Sequence, residues 1–254
     1  MTFKRIALIA AVLIAAVVAY SFIPNQYPVY ETQVSDPPEG GRHVLIFGAT
    51  RNSGLETAKI LTDRGDRVTA FVRAASDTSA LEALGVELVV GDALDMPSVE
   101  AAFVGKDYTS VITTIACFSC DPKPDYLGNR NIFDAAEAAG VKRVVLMTTI
   151  GSGDSYEAAP LPAKQFLKDI LPLKTQAENH LMASSLDYTI IRPGALKSDP
   201  ATGRAYLSES RETSGLINRE DLAGLVVNVI YDNGTIGKIL AAVDADMVFP
   251  WDMM

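Results

Sequence analysis

Gly48, Thr50, Arg51, Asn52, Ser53 and Gly54 form a small polar run between two apolar stretches, and their types and spacing suit the binding of a phosphate group. Glycine lets a backbone approach a diphosphate with no Cβ in the way, and the N–H groups that open a helix carry a partial positive charge. The usual spelling of such a dinucleotide cradle is G-x-G-x-x-G. Here Gly48-Ala49-Thr50-Arg51-Asn52-Ser53-Gly54 keeps glycine only at its two ends, a composition that an ordinary tight turn would share. A cradle that selects NAD carries Asp or Glu about 20 residues on, to accept a hydrogen bond from the ribose 2′-OH. Arg73 stands there instead, and Arg51 lies within the turn. A guanidinium cannot accept from a hydroxyl, but it pairs bidentately with a phosphate. The two arginines therefore point to NADP(H).

These residues need particular elements to position them. His43 to Phe47 reads as a buried strand; Leu55, Ala58, Ile60 and Leu61 recur at helical spacing, with Gly65 as the stop; Arg67 to Arg73 reads as a second strand. Strand, turn, helix, strand is the context in which the glycine run gains meaning. The same alternation continues. A short helix is expected over Thr78 to Leu84, a strand over Val86 to Val90 and another over Tyr108 to Ile115. A helix from Tyr126 to Ala139, a strand from Arg143 to Thr149, a helix from Lys174 to Met182 and a strand from Tyr188 to Arg192 follow. Pro160, Pro162 and Pro172 mark the region before Leu173 as a lid or short helix. Leu216-Ile217 is a short strand, Arg219 to Ile230 a helix and Ile236 to Val243 a last strand. The pattern predicts an α/β fold with a Rossmann-type doubly wound parallel sheet in a single domain spanning 43–254. Ligands in such sheets sit beyond the carboxyl ends of the strands, which makes Thr113 and Thr114 candidate cofactor contacts.

Cys117-Phe118-Ser119-Cys120 comes next. Zinc would need two more ligands and the chain has 2 histidines in all, His43 and His180, so no metal site is expected. The cysteines read as small residues lining a substrate pocket or as a disulfide.

Several separate motifs in order, namely the GAT…G turn, Val72-Arg73, Gly91-Asp92, Ala139 to Val145 and Thr189 to Gly194, together resemble the atypical short-chain dehydrogenase/reductase proteins. The resemblance is to their NAD(P)H-binding group, with its NmrA-like and flavin-reductase-like members, and runs from His43 to about Val243. It implies adenine contacts from Asp92 and Ala93, although Asp92 also suits the cap of the next helix. It matches Lys174 to the lysine of the Tyr-x-x-x-Lys pair, which binds the cofactor ribose, and Thr149 to the hydroxyl residue that orients a carbonyl. Four residues before Lys174 stands Ile170, so the phenol that would serve as general acid is missing. Tyr126, Tyr156 and Tyr188 are the alternatives, and Glu178 could pair with Lys174 at i,i+4. The implied activity is NADPH-dependent hydride transfer to a small or flavin-like acceptor. The alternative is a non-catalytic NADP(H)-binding redox sensor or an assembly or accessory protein at the membrane; epimerase activity stands third.

The remaining expectations concern the whole chain. A length of 254 residues suits one sizeable core, and a net charge of −9 disfavours nucleic acid as a partner. Lys4 and Arg5 precede an uncharged apolar run from Ile6 to Ile23, which reads as an uncleaved single-pass anchor or as a signal peptide over 1–23. The positive-inside rule and the cytosolic NADPH pool disagree about the side of the membrane. Residues 24–42, with Pro24, Pro28, Pro37 and Pro38, read as a linker. A small-molecule acceptor is the expected partner, and no protein partner is assigned.

Overall fold

The computed structural model describes residues 27–247 and Phe249. The chain alternates as its apolar periodicity dictates: β1 (His43–Phe47), α1 (Asn52–Asp63), β2 (Arg67–Val72), α2 (Ser79–Ala83), β3 (Glu87–Val90), α3 (Met96–Phe103) and β4 (Ser110–Thr113). Next come α4 (Pro124–Ala138), β5 (Arg143–Met147), a 3-10 turn at Gly153–Ala158, α5 (Leu161–Phe166), α6 (Leu171–Ala183) and β6 (Asp187–Pro193). The last part holds β7 (Ala195–Lys197), β8 (Ala205–Ser208), β9 (Leu216–Asn218), α7 (Arg219–Ile230) and β10 (Lys238–Asp244).

Eight strands form one sheet in the order β3-β2-β1-β4-β5-β6-β10-β8, parallel throughout except for β8, which runs antiparallel to β10. This is the expected Rossmann-type doubly wound arrangement. The order reverses between β1 and β4, whose registers align Phe47 with Phe71 on one side and with Thr113 on the other. At such a reversal the loops diverge to opposite faces and leave a crevice.

Both sheet faces are covered, which is why the strands read as near-continuous apolar runs. Successive side chains point to opposite faces. Val44 and Ile46 join Ala58, Leu61, Leu222 and Val226 under α1 and α7. Leu45 and Phe47 join Ile132, Phe133, Ala177 and Leu181 under α4 and α6. At about 25 cal/mol per Å² of apolar area removed from water, these two layers supply most of the favourable free energy of folding.

Three expectations are corrected here. The helix expected from Lys174 starts earlier, at Leu171, with Pro172 in its first turn, where the missing N–H costs nothing. β7 and β8 were not expected; both are short, and β8 at the sheet edge has no alternating pattern long enough to read. The single-pass membrane location is withdrawn, because among the described residues no helix is long and apolar enough to cross a membrane. The span expected over Ile6 to Ile23 lies outside the described residues.

The described part of the 24–42 segment lies against the domain. Tyr30 N–H donates to Leu207 O on β8 at 2.7 Å, and Gln33 N–H donates to Asp232 Oδ2 at 3.0 Å. Ser35 donates through both N–H and Oγ to the Tyr231 carbonyl.

Candidate functional site

A cavity of about 690 Å³ opens at the sheet reversal, beyond the carboxyl ends of β1, β2 and β4. Its floor is the turn after β1. Gly48 has φ 92°, and a Cβ there would come within 2.6 Å of Thr114 Oγ1. At Gly54 a Cβ would come within 2.1 Å of the Gly48 carbonyl, so the first turn of α1 can cross the strand end only without a side chain. Thr114 N–H donates to Phe47 O, and its hydroxyl donates to Gly48 O at 3.2 Å, fixing the turn from the neighbouring strand.

α1 opens without a side-chain cap and without an acidic residue in its first turn. Its leading N–H groups, unpaired in any helix, are thus left for a ligand. Ser53 in that turn is buried, and its hydroxyl has no hydrogen-bond partner although it lines the cavity. A buried polar atom without a partner costs about 1–3 kcal/mol, so it calls for an acceptor. The residues fit a diphosphate: free amides, an unpaired hydroxyl and two positions where a Cβ is excluded.

A second cavity of about 510 Å³ adjoins the first and is lined by Thr50, Arg51, Arg73, Ala75, Ser76 and Asp77. Arg51 and Arg73 are both exposed, and among the described residues neither guanidinium is paired with a carboxylate. Asp77, also on this wall, accepts from the Ser79 hydroxyl and N–H, which hold its carboxyl below the usual range.

Across the main cavity lie Asp92, Ala93 and Leu94. The Asp92 carboxylate already accepts from Leu94 N–H at 2.9 Å, and Gly91 passes so close to Phe71 that a Cβ would come within 2.4 Å of the ring. The rest of the wall is mostly apolar, with Ile115, Ala116, Cys117, Phe118, Met147 and Leu196, and carries Asp121 and Arg219 as its charged members. Phe118 is 55% exposed and lies against Phe166 of α5, with ring centroids 5.4 Å apart.

Of the residues expected to bind cofactor, the structure brings Gly48, Thr50, Arg51, Asn52, Ser53, Gly54, Arg73, Asp92, Ala93 and Thr114 to the cavity wall. Thr113 is not among them. It is fully buried and donates to Asn129 Oδ1 at 2.7 Å, since it points to the opposite face of the sheet from Thr114. Lys174 is also withdrawn from the wall, buried with its Nζ 3.3 Å from Asp125 Oδ1. Thr149 is half-buried at the end of β5, its hydroxyl 3.5 Å from Pro193 O. Ile170 is buried before α6, and no tyrosine lines the cavity among the described residues.

Glu178 does not pair with Lys174. It forms a buried pair with Arg192 at 2.7 Å, and Thr148 donates to it at 2.6 Å. Arg192 also donates to Asp154 at 2.6 Å, and Arg211 reaches the same carboxylate at 3.0 Å. Burial alone would raise the Asp154 pKa, but the bond from Arg192 and the two positive charges bring it below the ordinary value. This network joins β5, β6, α6 and the 3-10 turn behind the loop at Gly151–Gly153. The sequence held no signal for it, because its members come from four elements.

A family model described as NAD(P)H-binding matches residues 48–233. An uncharacterized chloroplastic protein of Arabidopsis thaliana is 30% identical over 214 residues, covering 80% of this chain and 76% of that protein. An uncharacterized sugar epimerase of Bacillus subtilis is 27% identical, covering 80% of this chain and 94% of its own. Among solved structures, an anaerobilin reductase of Escherichia coli O157:H7 superposes with a TM-score of 0.71 at 32% identity, covering 80% of this chain and 98% of that one.

Proposed function

This chain belongs to the NAD(P)H-binding family, in the atypical short-chain dehydrogenase/reductase group of reductases and epimerases, and from that premise we propose that it is an NADPH-dependent reductase. The observation that carries the cofactor choice is the pair of unpaired guanidiniums, Arg51 and Arg73, around a second cavity beside the diphosphate cradle. A 2′-phosphate there would receive charge-assisted hydrogen bonds, each worth about 1.5–3 kcal/mol. A ribose hydroxyl would find no acceptor on either side chain.

The bound dinucleotide would supply the hydride. The chain's own residues would hold its diphosphate on the amides of Asn52 to Gly54 and on Ser53 Oγ, and keep water from the far end with Ile115, Met147 and Leu196. That apolar end, with Phe118 half-exposed against Phe166, suits a small ring-shaped, flavin-like acceptor better than a sugar, which would need hydrogen-bonding side chains. The anaerobilin reductase likeness supports a reductase over an epimerase. With no tyrosine at the cavity wall, the proton would come from solvent rather than from a phenol.

The withdrawn Lys174 and buried Ile170 favour one other reading, a module that binds NADP(H) without turnover. Titration of the protein with NADPH and NADH, then assays with flavins, quinones and aldehydes, separates the two. NADPH should bind at least about tenfold more tightly, and Arg73→Ala should narrow the gap by about 1.4 kcal/mol or more. Equal affinities in the parent protein would remove NADPH selectivity, and binding without turnover on any acceptor would select the sensor.

A further inference from the structure

The loop leaving β4 closes on itself. Cys117 and Cys120 are joined in a disulfide, with Cα atoms 5.4 Å apart. A cross-link stabilises a fold mainly by restricting the unfolded chain, and least when the loop it closes is short. A ring of neighbours in sequence therefore has little value as a staple. Its placement is more informative. Both cysteines are half-buried and both line the main cavity at its apolar end, where a reductant can reach them.

Two contacts tie this ring to elements packed around the cavity. Cys117 N–H donates to Asp125 Oδ2 at 3.2 Å, and the other oxygen of that buried carboxylate faces Lys174 Nζ. Phe118, carried between the two cysteines, lies against Phe166 of α5. No residue of α5 is buried, so this ring contact is a principal tie between that helix and the cavity rim. The chemistry at the ring favours exchange as well. Lys123 Nζ donates to Phe118 O at 2.9 Å and to Cys120 O at 3.3 Å, and the ring stands just before α4. An ammonium beside the ring favours a thiolate, the form that attacks and leaves in disulfide exchange, and Asp125 in the first turn of α4 opposes it.

We propose that Cys117 and Cys120 are a reversible thiol–disulfide exchange site whose redox state sets the shape of the acceptor end of the cavity. The reductant is a dithiol. One of its thiolates attacks a cysteine sulfur, a mixed disulfide forms, and the other cysteine leaves as a thiolate that takes a proton. The second thiol of the donor, as thiolate, then attacks the mixed disulfide, releasing the remaining cysteine. The pair gains two electrons and two protons, and the donor becomes a disulfide. Reduction frees Cys117 and Cys120 to move apart and lets Phe118 between them shift, loosening α5 and the Asp125–Lys174 pair, while the cradle at Gly48–Gly54 is untouched.

The test uses the full chain, without denaturant, and needs neither NADPH nor an acceptor. Dithiothreitol followed by iodoacetamide should add two carbamidomethyl groups, and oxidised glutathione given before the alkylation should restore the disulfide. Hydrogen exchange should rise severalfold on reduction over 116–125 and 161–168 and stay constant over 43–63. The Cys117→Ser/Cys120→Ser double variant should show the reduced pattern whether or not dithiothreitol is present. Thiols that become alkylatable only after unfolding, or identical exchange in the two redox states, would overturn the proposal. If the double variant does not fold, the two states of the parent protein decide.

Discussion

Ser53 and Gly54, adjacent in the first turn of α1, should respond to substitution in opposite ways. Ser53→Ala removes a buried hydroxyl that has no partner in the protein, so urea unfolding should show unchanged or slightly higher stability. NADPH affinity should nevertheless fall by about 0.5–1.5 kcal/mol, the usual worth of one hydrogen bond. Gly54→Ala puts a methyl group within 2.1 Å of a carbonyl and should cost about 1–3 kcal/mol in the same unfolding experiment, with binding reduced as well. Arg192→Leu leaves Glu178 buried and uncompensated, and the unfolding free energy should drop by about 3–5 kcal/mol. Asp154, depressed below its ordinary 3.8, contributes stability that is complete above that pH and is lost as pH falls through the lower folded value. Asp154→Asn should therefore flatten the acid limb of a stability–pH curve. At this scale the cradle was legible because glycine, serine and arginine were read in a strand–turn–helix context. Thr113 and Thr114 were not separable, since adjacent strand residues face opposite ways and the sequence does not say which way. Glu178 was misassigned because a neighbour at i+4 is visible in the sequence and a partner on another strand is not.

The elements that carry the cradle were readable because their apolar residues keep strand or helix spacing and Gly48 and Gly65 punctuate them. α6 was displaced because Pro172 reads equally as a break or as a first-turn residue, and only the chain before it decides. α5 has no buried residue, with Leu161 and Phe166 each about three-quarters exposed. Phe166→Ser should thus raise the KM for a ring-shaped acceptor severalfold and leave NADPH affinity and the melting temperature nearly constant. α7 is the opposite case. Leu222 lies fully buried between α7 and the sheet, and Leu222→Ala should cost about 2–5 kcal/mol by chemical denaturation.

The molecule as a whole is one sheet with a helical layer on each face, and its parallel order places the cradle, the second cavity and the apolar end along one edge of the strands. A second tie closes it at the other end of the strands. Tyr231, after α7, packs beneath the guanidiniums of Arg42 and Arg64 and donates to Asp66 at 2.6 Å. Burial and the Asp66 carboxylate push its phenol up to about 12. The protonated form is favoured by folding, so its contribution is complete below the ordinary 10.0 and disappears as pH rises through 12; Tyr231→Phe should blunt that alkaline loss.

Tyr30 pairs with Leu207 on β8, the last strand of the sheet. Among the described residues no further strand lies beyond β8 to take up its outward-facing amides and carbonyls, and a bare row of that kind recruits other chains. A protein started at Arg42 would keep its Rossmann core and expose this strip, together with the cleft vacated by Gln33 and Ser35. Such a truncated form should associate as concentration rises in light scattering, so trimming this segment to ease handling would create a sticky particle.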